Sequence, residues 1–579
     1  MTMTRSKIFP GAVRLLGMLG LALAIAACGD DPTGPAENTE GPAPTVASIE
    51  PTSGTVGTDL RISGTNFRTG ATVRIGTFDA TGIDVTDGSE VFATVPSGVT
   101  ADEVYDVTVT NTDGTTVTLA RAFTAVAPTL SFVNGATKPS GSSGSTVILE
   151  GAAFGDAQGA GRVLFSDGAG GTVEASIASA DDWTDTFILT TVPAGADSGP
   201  VLVESGTGPS ESLPFTLASA ATFSPSTIAW TESQHLPVAV SGHSATFVSV
   251  DDATGETVEH VYVVGGSSND SIPVADVRYN VIGSTGHVAT WQSGTALGSG
   301  VTHHATVAAT PFNSKAPGSG YLFVMGGVDE KGGQPVDVIR RIPLSQDGST
   351  QASEIAGTLP APLHSFGAVV FRSTIYIAGG ATTDDVPVST VYRAAIDTLG
   401  NLGPWEELDA LPEARAHHQI VGFGGFLYAI GGDSAAVSID DANFSQNETK
   451  LSTVAHARID LRSGLLQSGW TVSGNAMQKS RSKHVAFAAG GSLFLSSGLY
   501  AAAGTGSSEN IYASINSDGT IGSFNGATGS NTLLSVGGTN LFNTNGIAYV
   551  DANGVAHVMV LGGDDVNNPG QKTDKVIFY

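Results

Sequence analysis

A chain of 579 residues has room for about four domains at ~150 residues each, so a single compact core is excluded. Charged residues supply only 14% of it and Gly alone supplies 75 positions, which rules out a coiled coil, a charge-driven disordered chain and a collagen. Acidic residues outnumber basic ones by 54 to 25 and the net charge is −29, the opposite of the basic footprint that nucleic acid requires, so no nucleic-acid partner is expected.

The chain opens with Arg5, Lys7 and Arg14 before an apolar run from Leu15 to Ala27. That run is too short for the ~20 residues that span a bilayer and has the form of a signal-peptide core over residues 1–27. It closes on Ile25, Ala26, Ala27 and then Cys28, the one cysteine in the protein, and this resembles the bacterial lipoprotein lipobox. The resemblance implies an acylated Cys28 as the mature N-terminus, and with two or three chains at ~0.8 kcal/mol per buried CH₂ it implies lasting membrane attachment. Gly29 stands where an Asp would resemble an inner-membrane retention signal, which points to the outer membrane or cell surface of a bacterial envelope. Residues 28–43, rich in Asp, Pro, Gly, Glu and Thr without apolar periodicity, read as a flexible tether. With no second thiol to pair, the exported part must rest on packed cores, which favours large sheet domains.

Two related modules come next. Ser53, Gly54, Gly57 and Thr58 lead into Leu60, Ile62, Gly64 and Phe67, and at identical spacing Ser140, Gly141, Gly144 and Ser145 lead into Val147, Leu149, Gly151 and Phe154. Each is a Gly-bearing turn, a period-two strand, a terminating Gly and an aromatic able to fold back over the core. The copies also end alike, on Thr94-Val95-Pro96 with Phe123 and on Thr191-Val192-Pro193 with Phe215. Residues 44–125 and 127–218 resemble IPT/TIG domains, immunoglobulin-like β-sandwiches that serve as spacers and interaction modules. The second carries an extra Gly-rich stretch from Gly155 to Gly171.

From residue 222 to 579 a hydrophobic strand ending in a Gly pair recurs at Gly265, Gly326, Gly379, Gly431 and Gly562, with a degenerate member at Ser497-Gly498. Between the pairs come an aromatic-rich strand such as Val391 to Ile396, a turn, and Trp230, Trp291, Trp405 or Trp470, with Phe524 in the last interval. A His follows each Trp by 13 or 14 residues, at His243, His304, His418 and His484, and His364 and Asn545 take the two remaining places. This order resembles the kelch motif and implies a six-bladed β-propeller. The chain enters at the Trp230 strand and ends at a strand around Phe578, so the last sheet is one strand short unless the entering strand completes it. The fold class expected is therefore all-β, two immunoglobulin-like sandwiches followed by a six-bladed propeller closed by its own N-terminal strand.

Antiparallel order puts the six His or Asn positions and the loops after the Gly pairs at one mouth. Those loops carry Asp270, Asp329, Glu330, Asp384, Asp385, Asp440, Asp441, Glu509, Asp564 and Asp565, a single-signed rim suited to a cationic partner or a divalent ion. On the opposite rim the connections at 251–259, 311–320 and 551–555 are long, and those of blades three to five are short. No catalytic, metal or cofactor site is expected: G-x-S-x-G is only half matched at Gly242-His243-Ser244 and Leu363 to Gly367, and H-E-x-x-H and P-loop motifs are lacking. Galactose oxidase-like chemistry needs a Cys–Tyr thioether that an acylated Cys28 does not leave available. The expected role is a membrane-anchored envelope scaffold binding a protein or glycan, of unknown oligomeric state. The alternative is a carbohydrate-active kelch enzyme of the sugar-mutarotase type, with Glu413 and Arg415 beside His417 as acid and base.

Overall fold

The computed structural model describes residues 41–134, 139–141, 143–217, 226, 230–251, 257–283, 286–309, 320–329, 333–397, 399–435, 449–489, 491–500, 509–526, 541–550, 556–565 and 571–579. Cys28 and the tether up to residue 40 lie outside them. The described chain is all-β apart from one 3₁₀ turn at Ala180–Asp182. Among the described residues no helix is long and apolar enough to cross a membrane.

Residues 45–125 form two sheets. One runs in the order Thr45–Glu50, Asp59–Thr65, Glu90–Thr94, Thr81–Asp87, and the other joins Ser53–Gly54, Thr116–Ala125, Val104–Thr110, Thr72–Ile75 and Phe78–Asp79. The alternating residues Leu60 and Ile62 face Val73, Ile75, Val107 and Val109 across the sandwich, all without exposure, as period two demands. Gly64 is required by a close approach: a Cβ there would lie 1.8 Å from the Thr45 carbonyl oxygen and 2.6 Å from the Phe67 ring. Residues 129–217 repeat this plan, with Thr129–Val133, Thr146–Ala152 and Phe187–Thr191 in one sheet and Leu213–Leu217, Gly199–Ser205, Arg162–Ser166 and Thr172–Ala175 in the other. Gly151 stands under Phe154 as Gly64 stands under Phe67, with its Cβ position 1.9 Å from the Thr129 oxygen.

Six four-stranded antiparallel sheets follow. The third shows the plan: Gly367–Phe371, Thr374–Ala378, Val391–Ala395 and Glu406–Leu408 in simple sequence order. The first begins at Ser244–Asp251, the second at Ala305–Ala309, the fourth at Gln419–Phe423, the fifth at Val485–Ala489 and the sixth at Asn545–Val550. Three strands of the sixth come from the C-terminal segment, and its outer place is taken by Thr231–Glu232, where Thr231 pairs with Phe578 and Glu232 with Ile577. The first strand of each sheet touches that of the next, and the sixth touches the first. All six line one cavity of about 360 Å³.

Every second strand is apolar on both faces because a neighbouring sheet covers each side. Tyr262, Phe323, Tyr376, Tyr428, Phe494 and Met559 occupy one equivalent place, three residues before the Gly pair or its Ser497-Gly498 counterpart, and all are fully buried. Each such burial stabilises by about 1.5–3 kcal/mol. On the outer strands Trp291, Trp405 and Trp470 each donate their indole N–H at 3.0 Å to the preceding sheet, to Gln234 O, Thr358 O and Asp409 O. The Trp body covers apolar surface and its N–H ties two sheets.

Candidate binding face

The four residues before each first strand are built alike, and their main chain sets the register. The second Gly of each pair donates its N–H to the next sheet: Gly266 to Val301 O, Gly327 to Leu363 O, Gly380 to Arg415 O, Gly432 to Arg481 O, Gly498 to Leu541 O and Gly563 to Val240 O. Two residues beyond each acceptor sits a residue in the left-handed region: Gly242, His303, Ser365, His417, Lys483 and Asn543, with φ between 50° and 58°. Each donates its N–H to the carbonyl of the same residue in the preceding sheet, at 2.8–3.0 Å for His303, Ser365, His417, Lys483 and Asn543, and Gly242 donates to Asn543 O at 3.2 Å. Six amides and six carbonyls are thereby satisfied in a closed cycle.

Five of the six left-handed residues carry side chains, although each side chain in that region costs about 1–2 kcal/mol that glycine avoids. The His303 and His417 rings lie 5.8 Å apart, and Asn543 Nδ2 approaches His303 Nε2 at 3.5 Å. These are alternate members of the cycle, so contact between them means that their side chains converge on its centre. Two carboxylates around it meet lysines. Asp433 receives Lys450 at 3.0 Å and His417 Nδ1 at 3.2 Å. Asp564 receives Lys572 at 3.3 Å, and Lys572 also donates to Ser241 at 2.8 Å. His364 Nε2 stands 3.2 Å from Asp385.

This geometry corrects the expected mouth in three ways. First, His243, His304, His418 and His484 are buried rather than open to solvent, with His304 and His418 also bordering the central cavity. Each is buried between two sheets, with its ring over the first Gly of the preceding pair, where a Cβ on Gly562, Gly265, Gly379 or Gly431 would lie 2.8–3.0 Å from the His Cε1. Burial alone drives the first of these imidazoles down to about 4, and burial is the largest cause that drives His304 and His418 down to about 3 and His484 well below its usual value. Second, the register shifts in two sheets. Phe366, not His364, takes the packing place in the third sheet, and Thr544, not Asn545, takes it in the sixth. His364 is displaced to the Asp385 loop, and Asn545 begins a strand and reaches back to His243 O at 3.4 Å. Third, the rim is not single-signed. Asp564 is paired as above, Asp565 is buried, and Glu509 accepts Lys479 at 2.7 Å and the Tyr500 hydroxyl at 2.6 Å, while Asp385 meets a His364 ring that burial drives down to about 3 and so leaves neutral. Asp270 and Asp384 are exposed and Asp329 is half-buried, whereas Glu330, Asp440 and Asp441 lie outside the described residues, as does most of the three long connections.

His303, Lys483 and Asn543 were missed from sequence, and His417 was read only as the neighbour of Glu413 and Arg415, although the doublets His303-His304 and His417-His418 marked the spot. The first His of each doublet faces the centre and the second packs between sheets. Glu413 and Arg415 form part of a clasp. The Arg415 guanidinium is fully buried and donates to Gly431 O at 3.0 Å, while Glu413 accepts the Thr453 hydroxyl at 2.7 Å. Among the described residues no group of three or more His, Cys, Asp or Glu is placed to hold a metal ion. Compared with known families, residues 44–125 match the IPT/TIG domain. No curated protein matches the chain.

Proposed function

We propose that this protein is a non-enzymatic, lipid-anchored binding protein of the bacterial envelope. In this reading residues 28–43 tether it to the membrane through Cys28, residues 127–218 are a second IPT/TIG-type sandwich, and residues 222–579 are a six-bladed kelch-type propeller that engages a protein partner. The propeller reading is supported by the cycle of six main-chain hydrogen bonds, by the equivalent buried residue on every second strand and by the pairing of Thr231–Glu232 with the last strand.

The observation that carries the binding role is the contrast between the centre of the Gly-pair face and its rim. The centre holds converging side chains, with Asp433 and Asp564 each paired with a lysine. On the rim, the loops of the first and third sheets expose Ile272 at 57% and Val386 at 52%, each two residues after an exposed acid, Asp270 and Asp384. The two loops share one backbone design, in which Ser268 donates to Ile272 O and Thr382 donates to Val386 O. Exposed aliphatics beside carboxylates on a rigid scaffold suit a protein surface of apolar and basic side chains.

The test is capture from envelope extracts by the full chain, run beside an Ile272→Asp/Val386→Asp variant, a glycan array and a sugar-mutarotation assay. A protein retained by the parent and lost at least tenfold by the variant is expected. Turnover abolished by Glu413→Gln would defeat the reading in favour of an enzyme, and glycan binding untouched by the rim variant would move the site elsewhere.

A further inference from the structure

The turns between first and second strands lie at the end of each sheet remote from the Gly pairs. In the third and fourth sheets these turns are only Arg372-Ser373 and Gly424-Gly425, and they are covered by the sandwich of residues 129–217. Ile148 and Leu189 from one sheet of that sandwich join Phe371, Tyr376, Leu427, Ile459 and Leu461 in a single apolar cluster. A Cβ on Gly425 would sit 3.2 Å from Leu189, so the approach is close. The Arg372 guanidinium lies over the Phe187 ring, 3.1 Å from its centroid. Glu150, on the neighbouring strand, is only half-exposed beside Arg372, and desolvation pushes its carboxyl up to about 7. A gap of about 320 Å³ remains around Arg372, so apolar packing does not seal the contact by itself.

Polar clasps supply the rest. Asp182 pairs with Arg458, and Arg462 donates to the carbonyl of Asp156 and, at 3.1 Å, to that of Trp183. Asp156 belongs to the Gly-rich stretch that the first sandwich lacks. Its Oδ1 stands 3.6 Å from Arg462 and its Oδ2 accepts the backbone N–H of Asp59, in the first sandwich, at 2.9 Å. The two sandwiches are also joined by a hydroxyl triad, Thr55 to Ser205 at 2.7 Å and to Thr207 at 2.6 Å. One carboxylate thus touches all three parts of the protein.

We propose that the second sandwich is latched to the third and fourth sheets, with Asp156 as the shared fastener, so that both sandwiches and the six sheets move as one rigid body and the Gly-pair face is held pointing away from the sandwiches. This goes beyond the binding reading, which survives if the latch fails. A longer connection in the third or fourth sheet would occupy the space the sandwich fills.

The test is a pair of spin labels on exposed positions, Glu174→Cys in the sandwich and Gln292→Cys in the first sheet, in the full mature chain with Cys28→Ser. A single narrow distance distribution is expected. Asp182→Arg should broaden it severalfold while leaving the thermal unfolding of the sheets in place, and the charge swap Asp182→Arg/Arg458→Asp should restore it. A broad distribution in the parent overturns the proposal, and so does a narrow one that Asp182→Arg leaves unchanged.

Discussion

Lowering the pH from 7 to 5 is expected to destabilise the six sheets by about 10 kcal/mol, enough to unfold most domains. The cause is the five buried imidazoles of His243, His304, His364, His418 and His484, which burial holds neutral. An unfolded His titrates near 6.5. Between that value and the depressed folded one, the unfolded chain binds more protons than the folded chain, so stability is present above pH 6.5 and falls as the pH falls. At pH 5 the folded rings are still neutral, and the loss is set by the unfolded chain at about 2 kcal/mol for each His. Urea unfolding of the full chain between pH 5 and 7.5, followed by near-ultraviolet circular dichroism, measures it. His418→Phe should remove about a fifth of the slope, because Phe366 already fills the same place in the third sheet. A pH-independent midpoint across this range would mean that the rings are not buried as described.

The second large effect concerns the packing partner of those rings. Gly379→Ala is expected to cost about 3 kcal/mol or more, since its Cβ would lie 2.4 Å from the Arg415 carbonyl oxygen and 2.8 Å from His418 Cε1, at φ of +60°. The protein contains its own control. In the fifth sheet Ser497 occupies this place at φ of +59°, and the residue facing it from the sixth sheet is Thr544, whose hydroxyl stands 3.4 Å from that of Ser497. A larger residue on one side is matched by a smaller one on the other. Gly379→Ser and His418→Thr should therefore each destabilise, the first by overpacking and the second by leaving a cavity, while the double variant recovers at least ~1 kcal/mol of the sum. Strict additivity in the thermal midpoints would contradict this steric coupling.

The same exchange explains what was legible in the sequence. Features carried by composition were readable: the Gly pairs and the apolar runs before them locate the second strands, and Leu60, Ile62, Gly64 and Phe67 mark the first sandwich, which the family comparison supports independently. Features set by register were not. A His at the expected distance from a Trp looks the same whether it packs between sheets or meets Asp385, and only the main-chain bonds distinguish Phe366 from His364. Ser497 looked like decay of a motif because its compensation, Thr544, lies 47 residues away in sequence. The rim acids Asp564 and Glu509 meet Lys572 and Lys479, cations set apart in sequence from the acids from which the rim was read.

The account depends above all on the sheets forming a shut cycle. Native-state hydrogen exchange of the Gly242, His303, Ser365, His417, Lys483 and Asn543 amides tests this directly, because each amide donates to the preceding sheet and Gly242 alone joins the first sheet to the sixth. The account predicts comparable protection at all six, lost together through global unfolding. Rapid exchange at Gly242 and at Ser233, whose N–H donates to Val576 O, with the other five protected would show an open array and contradict it.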